Sequence, residues 1–485
     1  MKQLSSLVYI LPFLLVLAAC NTGRQYQRPE IVLQSSFDSL GRSGSLADSS
    51  STAFTAEADT AGIAAIPWNQ FFADSSLAGL ISNALVYNHD LLVAIKRIDI
   101  AGQQLRQAKL LNVPSVNLGV SGQINRPSDN SLNGLSTQTF LQKSHVENYN
   151  AQVGISWEAD IWGKLRARKE VALLNYLQTR EAANAIRTQL VSDIAQGYYN
   201  LLMLDKQLEV ARRNLALNDS FLTATRLLKD AGNLTSLAVQ QAEAQKQGTA
   251  LLIPALEQDI LLQENALQLL AGQLPGKAQR SVTLTQLEIP EVLATGVPVA
   301  MVGRRPDVRA EEIALKVANK RVGIAQAAMY PSLNITAAAG LETFKASNWF
   351  NIPGSLFGLA TGSLLQPVFQ KRELRTAYEV AKLEREQAVI RFRQSVLIAG
   401  TEVSDALVQG SKLKEQQELA SQQTNTLRVA VSNAQQLFRS DMAGYLEVIT
   451  AQTNALQAEL NLASIQRGRL SAMVELYRAL GGGWK

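Results

Sequence analysis

Leu165-Arg166-x-x-x-Glu170-Val171-Ala172 returns 209 residues later as Leu374-Arg375-x-x-x-Glu379-Val380-Ala381. At the same offset Leu237-x-Val239-x-x-Ala242 falls on Leu446-x-Val448-x-x-Ala451, and Ala271-Gly272 falls on Leu480-Gly481, with no insertion or deletion between. An upstream segment repeats at offset 217, Asp90 on Asp307 and Pro114-Ser115 on Pro331-Ser332. The two offsets differ by eight because a loop between paired strands is shorter in the second copy. A period this long exceeds solenoid units. It describes one unit, strands followed by a very long helical hairpin, present twice.

The hairpins are read from their periodicity. Ile194, Leu201, Leu208, Leu215 and Leu222 fall seven apart with Leu204 and Ala211 between them, a coiled-coil seam; Ile449, Leu456, Ala463, Leu470 and Tyr477 form a similar stripe. From Gly163 to Lys229 no residue breaks the helix decisively, so a helix of roughly 100 Å is expected at 1.5 Å per residue. Gly232 and Asn233 offer a turn before a return helix from about Thr235 to Leu270, where Pro254 predicts a kink. The second hairpin, Glu373 to Arg439 and Tyr445 to Leu480, has no such proline. Ala, Ser, Thr and Gln cover much of these faces, which lets helices approach closely and suits a wall wet on one side.

The strands alternate with period two. Ser115 to Ile124 is the first and Tyr149 to about Glu158 the second, with Ala151, Val153, Ile155 and Trp157 on one face. The second copy offers Ser332 to Leu341 and Leu356 to Leu365. Each has the length of a transmembrane β-strand, and Tyr149, Trp157, Trp162, Tyr330 and Phe369 lie near strand ends as an aromatic girdle would. Arg126 to His145 is polar and turn-rich, which suits an external loop. Alternation alone reads equally well as an ordinary sandwich. Geometry separates the two: four strands cannot close a barrel, and an open edge in lipid leaves backbone groups unpaired. Two, three or four chains would supply eight, twelve or sixteen strands. The expected organisation is a signal peptide over 1–19, a tether over 20–67, a first repeat over 68–290 and a second over 291–485.

The N-terminus indicates the compartment. Leu7 to Ala19 is apolar but too short to span a bilayer comfortably, and Leu17-Ala18-Ala19-Cys20 resembles a bacterial lipobox. Cys20, the only cysteine among 485 residues, is the expected lipidation site; disulfides and thiolate metal sites are excluded. Ser35 to Gly62 is rich in Ser, Ala, Asp and Thr, an extended tether. Elsewhere no run of 18 apolar residues predicts a membrane helix. A net charge of +5 with dispersed basic residues gives no footprint for nucleic acid.

Arg304-Arg305-Pro306-Asp307-Val308-Arg309-Ala310-Glu311, preceded by Gly296-Val297-Pro298, resembles the G-L-P…R-R-P-D-I-x-x-A-E pattern of TolC-type outer-membrane factors. Ala325-Gln326-Ala327-Ala328-Met329-Tyr330-Pro331-Ser332-Leu333 is similar to that family's approach to its third strand. The ending Leu476-Tyr477-Arg478-Ala479-Leu480-Gly481-Gly482-Gly483-Trp484 resembles the terminus of its lipoprotein branch, the NodT-type efflux subunits, and Asn88-His89-Asp90-Leu91 stands where the family usually has N-P-D-L. The resemblance covers essentially the whole mature chain. It implies a mainly α fold with a membrane β-barrel: four strands per chain, a homotrimer with a twelve-stranded barrel, and a continuous periplasmic α-barrel. It further implies a lipid-anchored outer-membrane duct that passively exports drugs, metals or other toxic compounds, fed by an inner-membrane transporter through a periplasmic adaptor. The same tube passing polypeptides in type I secretion, or a lipid-anchored coiled-coil scaffold, is the alternative.

By this resemblance the adaptor seats on the hairpin tips, Gly232-Asn233-Leu234-Thr235-Ser236-Leu237 and Asp441-Met442-Ala443-Gly444-Tyr445-Leu446. Asp441 stands at offset 209 from Gly232, where the family carries glycine in both tips, so a reshaped second tip is expected. Glu447 matches a family gate carboxylate and Thr450 stands where a second would be; three copies of Glu447 around a narrow axis would repel one another and attract cations, whereas a merely solvated helix carboxylate reads the same way. Arg439 and Asp230 are candidate ion-pair partners holding the tips closed. No enzyme, cofactor or metal centre is expected beyond the lipid on Cys20. The two histidines, His89 and His145, lie apart, and no phosphate loop or G-x-S-x-G elbow is present.

Overall fold

A computed structural model describes residues 26–29, 66–287 and 303–484. Cys20, the signal segment, the tether apart from 26–29 and 66–67, and Gly296-Val297-Pro298 lie outside the described residues. After a helical turn at Trp68–Phe71 come α1 (Ser75–Tyr87), α2 (His89–Lys109), β1 (Ser115–Asn125), α3 (Leu132–Leu141), β2 (Val146–Ala159), α4 (Lys164–Asp230) and α5 (Ser236–Leu270). The second copy supplies α6 (Pro306–Ala327), β3 (Ser332–Thr343), β4 (Leu356–Leu365), α7 (Glu373–Arg439) and α8 (Tyr445–Ala479). Each of the two outer helices α4 and α7 has 67 residues, and each return helix 35. The duplication is thus kept to the residue through both hairpins. Pro254 sits inside α5, which continues through it. Among the described residues no single helix is long and apolar enough to cross a membrane.

The strands form one antiparallel sheet in the order β1-β2-β3-β4. Residues paired across neighbouring strands share a face, so the register sorts side chains directly. Val116 pairs with Ile155 and Leu118 with Val153 on one face; Asn117 pairs with Gly154 and Gln123 with Asn148 on the other. The sort continues into β3, where Trp157 pairs with Ile335 on the apolar side and Ser156 with Thr336 on the polar side. Val116, Leu118, Val120 and Ile124 are exposed in the single chain, as are Leu356 and Leu364 of β4. At the helix-linked end of the sheet Trp162 stacks on Tyr330 at 4.9 Å and donates from Nε1 to the Pro331 carbonyl at 2.7 Å. Trp157 donates from Nε1 to the Asn112 carbonyl. Tyr149 packs against Trp349 at the opposite, loop end. Phe369 lies beyond β4 with its ring exposed.

Two findings differ from the sequence reading. The stretch 126–145 is not simply a turn-rich loop: it contains α3, whose N-cap Ser131 accepts from the Gly134 amide. Ten residues without a seam heptad give no periodic signal, and only the cap marks the helix. The compact units also cut across the two sequence copies. One holds Asp99–Leu177 and Glu312–Ile390 and contains all four strands; the other holds Gln178–Glu311 and Arg391–Lys485 with the first helix.

In the second unit the core gathers Leu77, Ile81, Leu91, Ile194, Tyr198, Leu201, Leu267 and Tyr477. Asp74 caps α1 by accepting from the Ser76 amide and also accepts from Tyr198 Oη at 2.6 Å and Ser281 Oγ at 2.5 Å, so a buried carboxylate ties three segments. Asn88 does similar work, accepting from the Leu91 amide and donating to the Leu270 carbonyl at 2.9 Å. Lower on the hairpins Glu459 of α8 is 7% exposed. It accepts from Arg213 of α4 and, at 2.7 Å, from Arg428 Nε of α7. The two arginines stay half exposed and regain water if the acid is lost, whereas the acid has no such recourse. The double variant R213A/R428A is therefore expected to cost roughly 3 kcal/mol and Glu459→Leu less than about 2 kcal/mol. Denaturant unfolding followed by helical circular dichroism ranks them, and the reverse order would contradict a desolvated acid.

Candidate docking tips and gate

Each hairpin turns at its tip by the same hydrogen-bond pattern. The Asn233 amide donates to the Leu228 carbonyl and the Gly232 amide to Lys229; 209 residues on, the Met442 amide donates to Leu437 and the Asp441 amide to Phe438. This is a left-handed helix C-cap, which needs one residue at positive φ. Gly232 takes it at φ +82° and Asp441 at φ +58°. The second tip therefore keeps the shape of the first despite the lost glycine, because a short polar side chain tolerates the left-handed region.

The tips differ at the start of the return helix. Thr235 caps α5 by accepting from the Ala238 amide. Its equivalent Gly444 offers no side-chain cap to α8. The Glu447 carboxylate lies beside this turn, its Oε2 2.7 Å from where a Cβ on Gly444 would stand. A carboxylate folded over the first turn suits the positive end of the helix dipole. Glu447 and Thr450 are both exposed.

Asp230 ends α4 and Arg439 ends α7 at equivalent positions. Neither forms an ion pair among the described residues of one chain, so the expected tie does not exist within it. Hydrophobic contact holds the two hairpins together near the tips instead. Phe221 of α4 meets Phe438 of α7 at 5.3 Å, over Leu222, Ala242 and Val448, with Leu234 and Tyr445 packed against them. Leu234 and Tyr445 thus turn inward, while Leu237, Met442 and Leu446 stay exposed, and Asn233, Thr235, Ser236, Asp441 and Gly444 with them. Ala443 is half-buried. Two equivalent leucines, Leu237 and Leu446, present apolar surface at corresponding points of the two tips.

Arg305 belongs to the motif that carries the family resemblance, and its task emerges only from the fold. It is 3% exposed and anchors the start of α6 to the middle of α7 and the end of α8. Its Nε and Nη2 donate to Asp307 at 3.0 and 2.7 Å, and its Nη1 to Glu402 at 2.6 Å and the Ala479 carbonyl at 3.2 Å. Arg478 shares Glu402 at 3.1 Å. Burial alone would lower the Arg305 pKa and raise that of Asp307; their mutual hydrogen bonds and charge outweigh it, holding the guanidinium above and the carboxyl below their ordinary ranges. The terminal glycines are needed here: Gly481 has φ +87° beside Arg305, and a Cβ on Gly482 would meet the Tyr477 ring at 2.4 Å.

A duplicated unit of two strands and a long hairpin, with this arginine anchor, matches one family model over residues 80–273 and 297–482: "Outer membrane efflux protein". The chain belongs to that family. It is 29% identical over 484 residues to the Cation efflux system protein CusC of Escherichia coli, covering 98% of this chain and 99% of that protein. It is 26% identical over 474 residues to the Probable outer membrane lipoprotein SilC of Salmonella typhimurium, covering 97% of each. The solved structure of CusC superposes with a TM-score of 0.81 at 26% identity over 96% of this chain and all (100%) of that one. The open-state MtrE channel of Neisseria gonorrhoeae superposes at 0.82 with 24% identity over 96% of this chain and 99% of its own, which supports the fold. Like its family, this outer-membrane efflux protein is a channel subunit, with a four-stranded sheet and long helical hairpins.

At Asp441 the left-handed conformation costs an aspartate something that glycine avoids. Asp441→Gly is expected to leave the tip unchanged or stabilise it by up to about 1 kcal/mol, and Asp441→Val to cost about 1–2 kcal/mol. Amide exchange at Met442 measures both.

Proposed function

We propose that this efflux protein is the passive exit duct of a tripartite system, a homotrimer anchored by lipid on Cys20. A periplasmic adaptor on its helical tips would link it to an inner-membrane transporter. The transporter supplies the energy and this chain the conduit, with no reaction of its own. CusC is named for cation efflux and SilC as an outer-membrane lipoprotein, which supports toxic-compound export and the anchor.

One observation carries assembly from several copies, and the family sets their number at three. The sheet has two free edges, β1 and β4, and an exposed apolar face. Unpaired backbone groups in lipid cost several kcal/mol each, so the edges must meet those of other copies. Pairing β4 of one copy with β1 of the next closes a ring, and three copies give the family's twelve strands. The apolar face then meets lipid and the polar face lines the lumen.

At the tips Leu237, Met442 and Leu446 supply the apolar contact for the adaptor, with Gly232, Asn233, Thr235, Ser236, Ala443 and Gly444 shaping the turns around them. Glu447 is the gate carboxylate, with Thr450 one helical step behind it; Asp230 and Arg439 are available to pair across the boundary between copies. Purified lipoprotein in planar bilayers should give discrete, long-lived conductance steps, and chemical cross-linking should trap a trimer. A monomer that stays silent would instead favour the scaffold. In channels that conduct, Glu447→Ala should weaken block by added divalent cations by roughly tenfold, the effect of losing about 1.4 kcal/mol of attraction; identical block curves would remove Glu447 from the gate.

A further inference from the structure

The loop between β1 and β2 leans toward one particular face of the sheet. A cavity of about 350 Å³ lies between α3 and the strands, lined by Asn133, Ser136 and Thr137 on the helix and by Gln123, Asn125 and Asn148 on the sheet. Gln123 pairs with Asn148 in the row that also holds Asn117 and Ser121, so α3 overhangs the polar face. The loop between β3 and β4 does the opposite. Its Trp349 packs at 5.4 Å on Tyr149, which lies in the same row as Ala151, Val153 and Ile155 on the apolar face.

The seat of α3 is fixed. Gly134 and Thr137 are buried toward the loop, and a Cβ on Gly134 would come within 2.0 Å of the Ser128 carbonyl oxygen. Gln138 donates to Asp129 at 3.2 Å. The outward side carries Leu132, Leu135 and Phe140, which are 80%, 55% and 84% exposed. Three large apolar side chains on a short helix over a polar, water-facing surface call for a cover.

We propose that three copies of α3 close the outer mouth of the barrel, each packing Leu132, Leu135 and Phe140 against the same residues of the other two. The inference rests on the trimeric duct proposed above. Once the apolar face meets lipid, the polar face and the helix above it point into the lumen, so the occupant nearest to each α3 is another α3. The cover is continuous with the interface made by the strand edges. Dimensions agree. Twelve strands about 4.8 Å apart and tilted by about 40° enclose a ring about 24 Å across. Three helices about 10 Å wide fill a circle about 22 Å across. The twelve residues between β3 and β4, against twenty between β1 and β2, leave no room for a second such helix, and this eight-residue difference is the change of offset noted in the sequence.

Two cysteine experiments in intact cells test this, because Cys20 is the only native cysteine. Leu135→Cys should form disulfide-linked dimers of this chain on mild oxidation. Asn117→Cys, deeper in the lumen, should react with a bulky membrane-impermeant maleimide at least about tenfold faster when L132N, L135N and F140N remove the apolar contact. Trimers that remain intact yet show neither result overturn the outer closure and leave the duct standing. Loss of the trimer in the wild-type chain overturns both. A disulfide to a different protein at Leu135→Cys overturns the choice of occupant.

Discussion

Everything in this chain answers to the unpaired edges of its sheet. Alternate residues along the eleven of β1 and the ten of β4 turn backbone donors and acceptors to a free edge, where no strand among the described residues satisfies them. In water the solvent would serve them; in a bilayer nothing does. Duplication is the economical answer. Two strand pairs per chain make a sheet wide enough for three copies to finish a ring, while a single pair would require six. The exposed valines and leucines of β1, anomalous in a soluble protein, become the ordinary lipid face of a membrane strand.

The helical part follows a different logic. Large side chains such as Ile194, Tyr198, Leu201 and Tyr477 fill its core, alanines between them let the helices approach, and buried polar side chains supply specificity. Glu459 between two arginines, Asp74 under Tyr198 and Ser281, and Asn218 donating to Thr249 at 2.8 Å each fix one axial register. A purely apolar seam of small residues would tolerate sliding by a heptad; these groups would be left buried and unpaired if it slid. Arg305 serves the same end where α6 meets the C-terminal residues.

The long helices were legible because their causes are local. A seven-residue stripe and a turn at Gly232 place α4 and α5 to within a residue, and the offset of 209 carries those bounds to α7 and α8. The strands were legible for the same reason, since alternation is a nearest-neighbour pattern. The arginine anchor was visible only as a motif: Arg305 reaches Glu402 across 97 residues and Ala479 across 174, and no spacing announces such a meeting. Glu459 and the Phe221–Phe438 contact left no signal, because neither is reproduced in the other copy. Asp230 and Arg439 end equivalent helices of the two hairpins and form no ion pair among the described residues of one chain. Only the Ser131 cap marked α3.

The equality of the two hairpins, 67 and 35 residues in each, restricts how this architecture can vary. One residue added to a single helix would advance everything beyond it by about 1.5 Å and rotate it by about 100°, turning the seam out of the wall. Such a change can be absorbed only if the partner helix and the other hairpin change in step, and only in increments that restore the stripe, about seven residues or roughly 10 Å of wall at a time. The length of the hairpins is therefore quantised in steps of a whole heptad.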